Sequence, residues 1–219
     1  MGRLDAIGFE RCLPIMLQLL DESDPQVSQL VLSVFGEQAL RKTEPFPIDV
    51  KRRIVSCLAN TTDTLIIQAA ISTIQTARIA DEEAVVALNC ILEHSNRHLA
   101  IEAAIALIEL QAPSSQAAEH FALVQLENAD PMIRSLAAEA LGLLGVKAAE
   151  HVPRLVAILN YPDTDKAAAR AIAKITGDLS DLIEIADGNC QSSDSGERLA
   201  GRELHSQIAR MQDNLHQAD

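Results

Sequence analysis

Tryptophan is absent from this 219-residue chain, and aromatic residues of all kinds make up only 2% of it. A surface that stacks on nucleic-acid bases or flat cofactors needs rings, so this composition argues against both. Basic charge is also scarce: 18 Lys and Arg stand against 31 Asp and Glu, a formal net charge of −13. Affinity for nucleic acid comes largely from cations that neutralise phosphates, and anionic membrane surfaces make the same demand. Neither is expected as a partner. The acidity itself has two readings, plain solubility or an acidic face for a basic partner.

Long apolar runs are missing too. No segment reaches the roughly 20 residues needed to span a bilayer. The short run Leu13–Leu20 follows Asp5 and Glu10 rather than a basic stretch, so it does not read as a secretory signal. Of the four cysteines, Cys12, Cys57 and Cys90 sit in apolar helical segments, Cys190 lies in a polar stretch, and there is no CxxC pair. Reduced, buried thiols and a cytoplasmic location are the expectation. Phosphate-binding glycine loops, GxSxG and HExxH are absent as well.

What the chain does contain is a repeat. Its clearest copy is NADPMIRSLAAEALGLLG at Asn128–Gly145. Aligned on Asp130-Pro131, further copies begin at Asp24-Pro25, Asp63, Asn96 and Tyr161-Pro162, at intervals of 39, 33, 34 and 31. Periods in this range mark stacked repeat proteins. The apolar mass is Ala, Leu, Ile and Val, whose small and aliphatic side chains let helices approach closely. Each copy reads as a helix pair, A then B. Asp is a good N-cap for helix B, and Pro suits its first position, where a missing N–H costs nothing. In the best copy Ile133, Ala137, Ala140, Leu141 and Leu144 form the buried stripe, and Gly145 ends the helix.

The spacing predicts five pairs within residues 1–186, at about 10–40, 48–77, 81–111, 114–145 and 148–177. A short helix at Leu179–Ala186 is expected to follow, then a polar linker at 187–196 and a C-terminal helix at 197–219, with Leu204, Ile208, Met211 and Leu215 on one side. That last helix either caps the exposed core of the stack or detaches to bind a partner or a second copy.

Asp130-Pro131, Ile133-Arg134, Ala137-Ala138, Ala140-Leu141-Gly142 and Val152-Pro153-Leu155 resemble the HEAT repeat, and in particular the bacterial HEAT-like repeats associated with phycobilisome lyases. The resemblance implies an all-α, α-α superhelix: a right-handed solenoid of about five HEAT-like helix pairs with a C-terminal capping helix, and B helices lining a concave face. HEAT arrays line the turn Asp against an Arg of helix B, and here only Asp130 and Arg134 supply both. Family members mostly bind proteins, and some handle a prosthetic group. A non-catalytic scaffold, adaptor or assembly chaperone is therefore the leading expectation, with no cofactor. The alternatives are a bilin-lyase-like protein that attaches or delivers a tetrapyrrole, or a regulatory subunit of an enzyme.

One HEAT-like enzyme, deoxyhypusine hydroxylase, holds two irons with His-Glu pairs. This chain has only the reverse order, at Glu93-His94, Glu119-His120 and Glu150-His151. Those pairs are 26 and 31 residues apart, out of phase with the repeat, and are not expected to converge on a metal. His94 and His98 straddle a predicted turn and read as solvated.

The candidate site is the side of each B helix that faces away from both the core and the neighbouring repeats. In repeat 2 it carries Gln68, Ser72 and Gln75; in repeat 3, Ile101, Ile105 and Ile108; in repeat 4, Ser135, Glu139 and Gly142; in repeat 5, Lys166, Arg170 and Ala173. Three isoleucines between polar and basic ends read as an apolar anchor for a helix or extended peptide, with Gln68, Ser72 and Gln75 as hydrogen-bonding groups and Lys166 and Arg170 meeting an acidic segment. Glu139 is expected to pair with Arg170. The competing reading buries Ile101, Ile105 and Ile108 in the core.

Overall fold

The computed structural model describes residues 6–21, 24–41, 45–159, 161, 163–176 and 179–216, with only the backbone described at some of these positions, residues 211–216 among them. Every regular element among them is helical. The chain divides into two compact units, Met1–Ser114 and Ser115–Asp219.

In the first unit the helices are α1 (Ala6–Leu19), α2 (Pro25–Arg41), α3 (Ile48–Ala59), α4 (Thr64–Thr76), α5 (Glu82–Leu92) and α6 (Arg97–Glu109). α2, α4 and α6 stack in order, while α3 and α5 pack beside them. The reason each inner helix starts where it does is chemical. The Asp63 carboxylate accepts hydrogen bonds from the Leu65 and Ile66 N–H groups at 2.8 and 3.3 Å, and the Asn96 side chain accepts from His98 N–H at 3.0 Å. These bonds satisfy donors that a helix leaves orphaned at its first turn.

The two helices also end alike. Arg78 and Gln111 both adopt left-handed backbone, with φ of 50° and 52°. Ile79 N–H then reaches back to the Ile74 carbonyl at 2.9 Å, and Ala112 N–H to that of Leu107 at 3.0 Å. This is the Schellman closure, and the buried Ile79 and Ala112 supply its apolar contact.

Aromatic residues are few and concentrated. Phe9, Phe35 and Phe46 pack together with ring centroids 5.7–6.2 Å apart, two of the contacts edge to face. Phe46 belongs to the proline-bracketed connection before α3, so the longest interval in the repeat is filled by an inserted side chain. The cysteines depart from the expectation of uniform burial: Cys90 is exposed, and Cys12, Cys57 and Cys190 are half-buried.

The second unit contains α7 (Ser115–Gln125), α8 (Pro131–Leu143), a 3-10 segment Gly145–His151, α9 (Val152–Ile158), α10 (Asp165–Thr176), α11 (Leu179–Cys190) and α12 (Ser195–His216). α8 and α10 pack closely, and Gly142 explains how closely. A Cβ there would lie 2.9 Å from the Ala171 Cα. Gly145, at φ 58°, terminates α8.

The expected organisation is corrected at two places. First, α10 starts at Asp165 rather than Pro162, a residue outside the described set. The first intrahelical bond runs from Ala168 N–H to the Thr164 carbonyl. Second, residues 187–196 are not a linker: α11 continues through Cys190, and α12 packs along it. At Gly201 an added Cβ would lie 2.7 Å from both the Ala186 O and the Cys190 N. Asp194 caps α12, accepting from Gly196 and Glu197 N–H at 2.7 and 3.1 Å. α11 and α12 are thus a sixth helix pair, and Leu204 and Ile208 are buried in it. The side chains of Met211 and Leu215 lie outside the described residues.

Counting from the residue whose carbonyl takes the first helical bond, the inner helices begin after Asp24, Asp63, Asn96, Asp130, Thr164 and Asp194. The intervals are 39, 33, 34, 34 and 30.

Gln111 is exposed and carries its left-handed φ without glycine's freedom. Gln111→Gly is expected to raise stability by about 0.5–1 kcal/mol in denaturant unfolding, after the added flexibility of the unfolded chain is counted. Burial raises the Cys57 thiol from 9.0 to about 11; the nearby Arg53 guanidinium partly offsets this, and Asp21 adds to it. The unfolded chain therefore releases this proton before the folded one does, and Cys57 draws stability down as pH rises from 9 towards 11. At pH 8 a thiol-alkylating reagent should modify exposed Cys90 much faster than Cys57, as read by peptide mass spectrometry.

Candidate protein-binding face

The structure separates the expected site residues into three groups. Ile101 and Ile108 are core, 0% and 5% exposed, and Ile105 is half-buried. The anticipated three-isoleucine patch is not a surface. The cause lies in α6 itself: Leu99, Ala100, Ala103, Ala104, Ala106 and Leu107 are buried as well, so its apolar residues run nearly all the way round. A helix hydrophobic on every side is a buried helix. α6 reaches the surface at Arg97 and His98 in its first turn and, beyond them, along a narrow strip that carries Glu102, Ile105 and Glu109.

Gln68, Ser72 and Gln75 lie along one side of α4, the first two exposed. Gln68 Nε2 donates to Glu102 Oε1 at 2.7 Å, and Gln75 Nε2 donates to Glu109 Oε2 at 2.5 Å. Both pairs are separated by 34 residues, one repeat, so two rungs two helical turns apart tie α4 to α6. The residues that face Gln68 and Gln75 are thus glutamates, one position beyond the isoleucines that alignment of the turns selects. Amide donors leave a carboxylate's charge in place. Among the described residues no Lys or Arg pairs with Glu102 or Glu109. The result is an acidic strip with one partly exposed isoleucine, Ile105, between its two carboxylates.

In the second unit Glu139, Lys166 and Arg170 are all exposed. No ion pair joins Glu139 to Arg170 among the described residues. The reason is the start of α10. Counted from Thr164, the positions equivalent to Ser135 and Glu139 are Ala169 and Ala173, so Lys166 and Arg170 fall elsewhere on the helix.

Arg134 also departs from the ladder that the HEAT resemblance implies. Its Nη1 donates to the carbonyls of Asn128 and Ala129 at 2.8 and 3.0 Å, and its guanidinium lies 4.8 Å from the centre of the Tyr161 ring. Arg198 repeats this at identical offsets, donating to the carbonyls of Ser192 and Ser193 at 3.0 and 2.7 Å. Each arginine fastens its own turn. Arg134 lines a cleft of about 630 Å³ together with Glu127, Arg154 and Tyr161. Arg154 pairs there with Glu127 at 2.6 Å, while the buried Arg134 Nε has no hydrogen-bond partner among the described residues.

One group expected to stay apart does meet. Glu119 of α7 comes together with Glu150 and His151 of the 3-10 segment. Glu119 and His151, 32 residues apart, lie side by side, with His151 Nε2 2.6 Å from Glu119 Oε1. All three belong to the Glu-His dipeptides Glu119-His120 and Glu150-His151, whose spacing of 31 reads as out of phase with the repeat.

No protein-family model matches the chain, and no curated protein sequence matches it. Solved structures do. An engineered protein aligns with TM-score 0.57 and 19% identity over 90% of this chain and 98% of its own. A second engineered protein gives 0.53 and 20% over 90% and 96%. The complex of CpcE and CpcF of phycocyanin lyase from Nostoc sp. PCC7120 gives 0.50 and 21% over 77% and 68%. At these identities the likeness is one of fold: the chain is an all-α helical-repeat protein of the α-α superhelix class. No helix among the described residues is long and apolar enough to cross a membrane.

Ile101→Ala is expected to cost about 2–5 kcal/mol in chemical unfolding, as for any fully buried large-to-small change. Ile105→Ala, at a half-buried site, should cost clearly less.

Proposed function

We propose that the chain is a non-catalytic helical-repeat scaffold of the HEAT-like kind, which holds a partner protein through a basic segment laid along the α4–α6 face. The observation that carries this reading is the pair of Gln–Glu rungs flanking Ile105. Glutamine amides hold both carboxylates in place without neutralising them. A fixed negative pair around an apolar spot suits a helix or extended segment with two cations about two turns apart and one apolar side chain between them. The net charge of −13 adds attraction over longer range. The partner chemistry is therefore the reverse of the acidic segment expected from Lys166 and Arg170.

A second reading, handling of an open-chain tetrapyrrole, is favoured by the likeness to the CpcE–CpcF complex. Three of the four phenylalanines are committed to one another in the core, and Tyr161 is covered on one face by Arg134, so few rings remain to hold a tetrapyrrole.

Fluorescence anisotropy with a labelled amphipathic peptide bearing Lys and Arg on its polar face, and with its Asp/Glu twin, tests the proposal. The basic peptide should bind the full chain, more weakly as salt rises, and the twin should not. Glu102→Lys with Glu109→Lys should weaken binding at least about tenfold, with the circular dichroism unchanged. Equal affinity for both peptides, or an unaffected double variant, would overturn it. A visible absorption band gained with biliverdin, and kept in the double variant, would favour the second reading.

A further inference from the structure

We propose that Glu119, Glu150 and His151 form a binding site for a single divalent transition-metal ion, with Zn²⁺ as the reference ion. Each residue offers one ligand atom, and the three atoms lie within 4.8 Å of one another. His151 Nε2 stands 2.6 Å from Glu119 Oε1 and 3.9 Å from Glu150 Oε1. Ligands about 2.0–2.1 Å from a tetrahedral zinc are about 3.3 Å apart, a spacing that lies between those two separations. Modest side-chain rotation brings all three atoms into range.

The donor set is one imidazole nitrogen and two carboxylate oxygens. That mixture suits zinc and its neighbours rather than magnesium, which prefers an all-oxygen octahedron and keeps its water. Charge points the same way. Among the described residues no Lys or Arg pairs with Glu119 or Glu150, and both carboxylates turn to a single imidazole. Even a protonated His151 neutralises only one of them, whereas a divalent cation neutralises both.

Burial assigns the ligands different parts. The His151 and Glu119 side chains are 12% and 24% exposed and form a fixed wall; Glu150 is 79% exposed and free to close over the ion from outside. Water would complete the shell. The bound ion would join α7 to the 3-10 segment that precedes α9, two outer segments of successive repeats.

The competing account is a bare hydrogen bond between His151 and Glu119. Glu150 separates the two, because at 3.9 Å it makes no hydrogen bond to His151 and its loss leaves that pair intact. Calorimetric titration of the metal-free full chain with ZnCl₂ should give one site, with a rise in Tm on saturation. Glu150→Gln should keep the metal-free Tm yet weaken Zn²⁺ binding at least about tenfold, and His151→Gln should abolish the site. MgCl₂ should shift nothing. Absence of Zn²⁺ binding, or binding unchanged in Glu150→Gln, would overturn the proposal.

Discussion

A carboxylate or amide at the mouth of each capped inner helix sets the rotational phase of that helix. The side chains of Asp63, Asn96, Asp130 and Asp194 accept the N–H groups that the helix cannot satisfy itself. Because a helix turns about 100° per residue, fixing its first residue fixes which side chains are buried and which meet a neighbour. The turn before it is secured from behind where Arg134 and Arg198 reach its carbonyls. Packing then depends on small residues, and at Gly142 and Gly201 the helix approach leaves no room for a Cβ.

The same dependence explains how far the sequence could be read. Asp24, Asp63, Asn96 and Asp130 announce their helices through ordinary cap chemistry and the starts read from them hold, yet on α6 the side chains that meet α4 sit one position beyond those counted from Asn96. In the fifth repeat Tyr161-Pro162 imitates that signal three residues early. Thr164, a less conspicuous residue, is the one that opens α10. Three residues displace Lys166 and Arg170 by about 4.5 Å along the helix and about 60° around it from the places assigned to them. The sixth pair was hidden in a different way. Asp187-Gly188-Asn189 and Ser192–Gly196 look like loop composition, yet tertiary packing of α12 keeps α11 helical through the first of them.

α6 shows a limit of another kind. Its start is legible, and its apolar pattern is not, since residues on every side are apolar and the pattern names no single buried face. Beyond Arg97 and His98 in its first turn, only the two glutamates break that uniformity, and they are the residues that α4 meets. A polar residue in an otherwise apolar helix was the better guide to the surface than the apolar residues were to a binding patch. The meeting of Glu119 with His151 is a contact across 32 residues, which no local pattern encodes.

The contact between Arg134 and Tyr161 has an optical consequence. With no tryptophan and a single tyrosine in the chain, all emission beyond that of phenylalanine arises from one ring, placed in the second unit under one guanidinium. The first unit keeps its aromatic character in three mutually packed phenylalanines. Tyrosine light thus labels the second unit alone, and loosening of the turn before α10 would register in it while the phenylalanine cluster stayed silent.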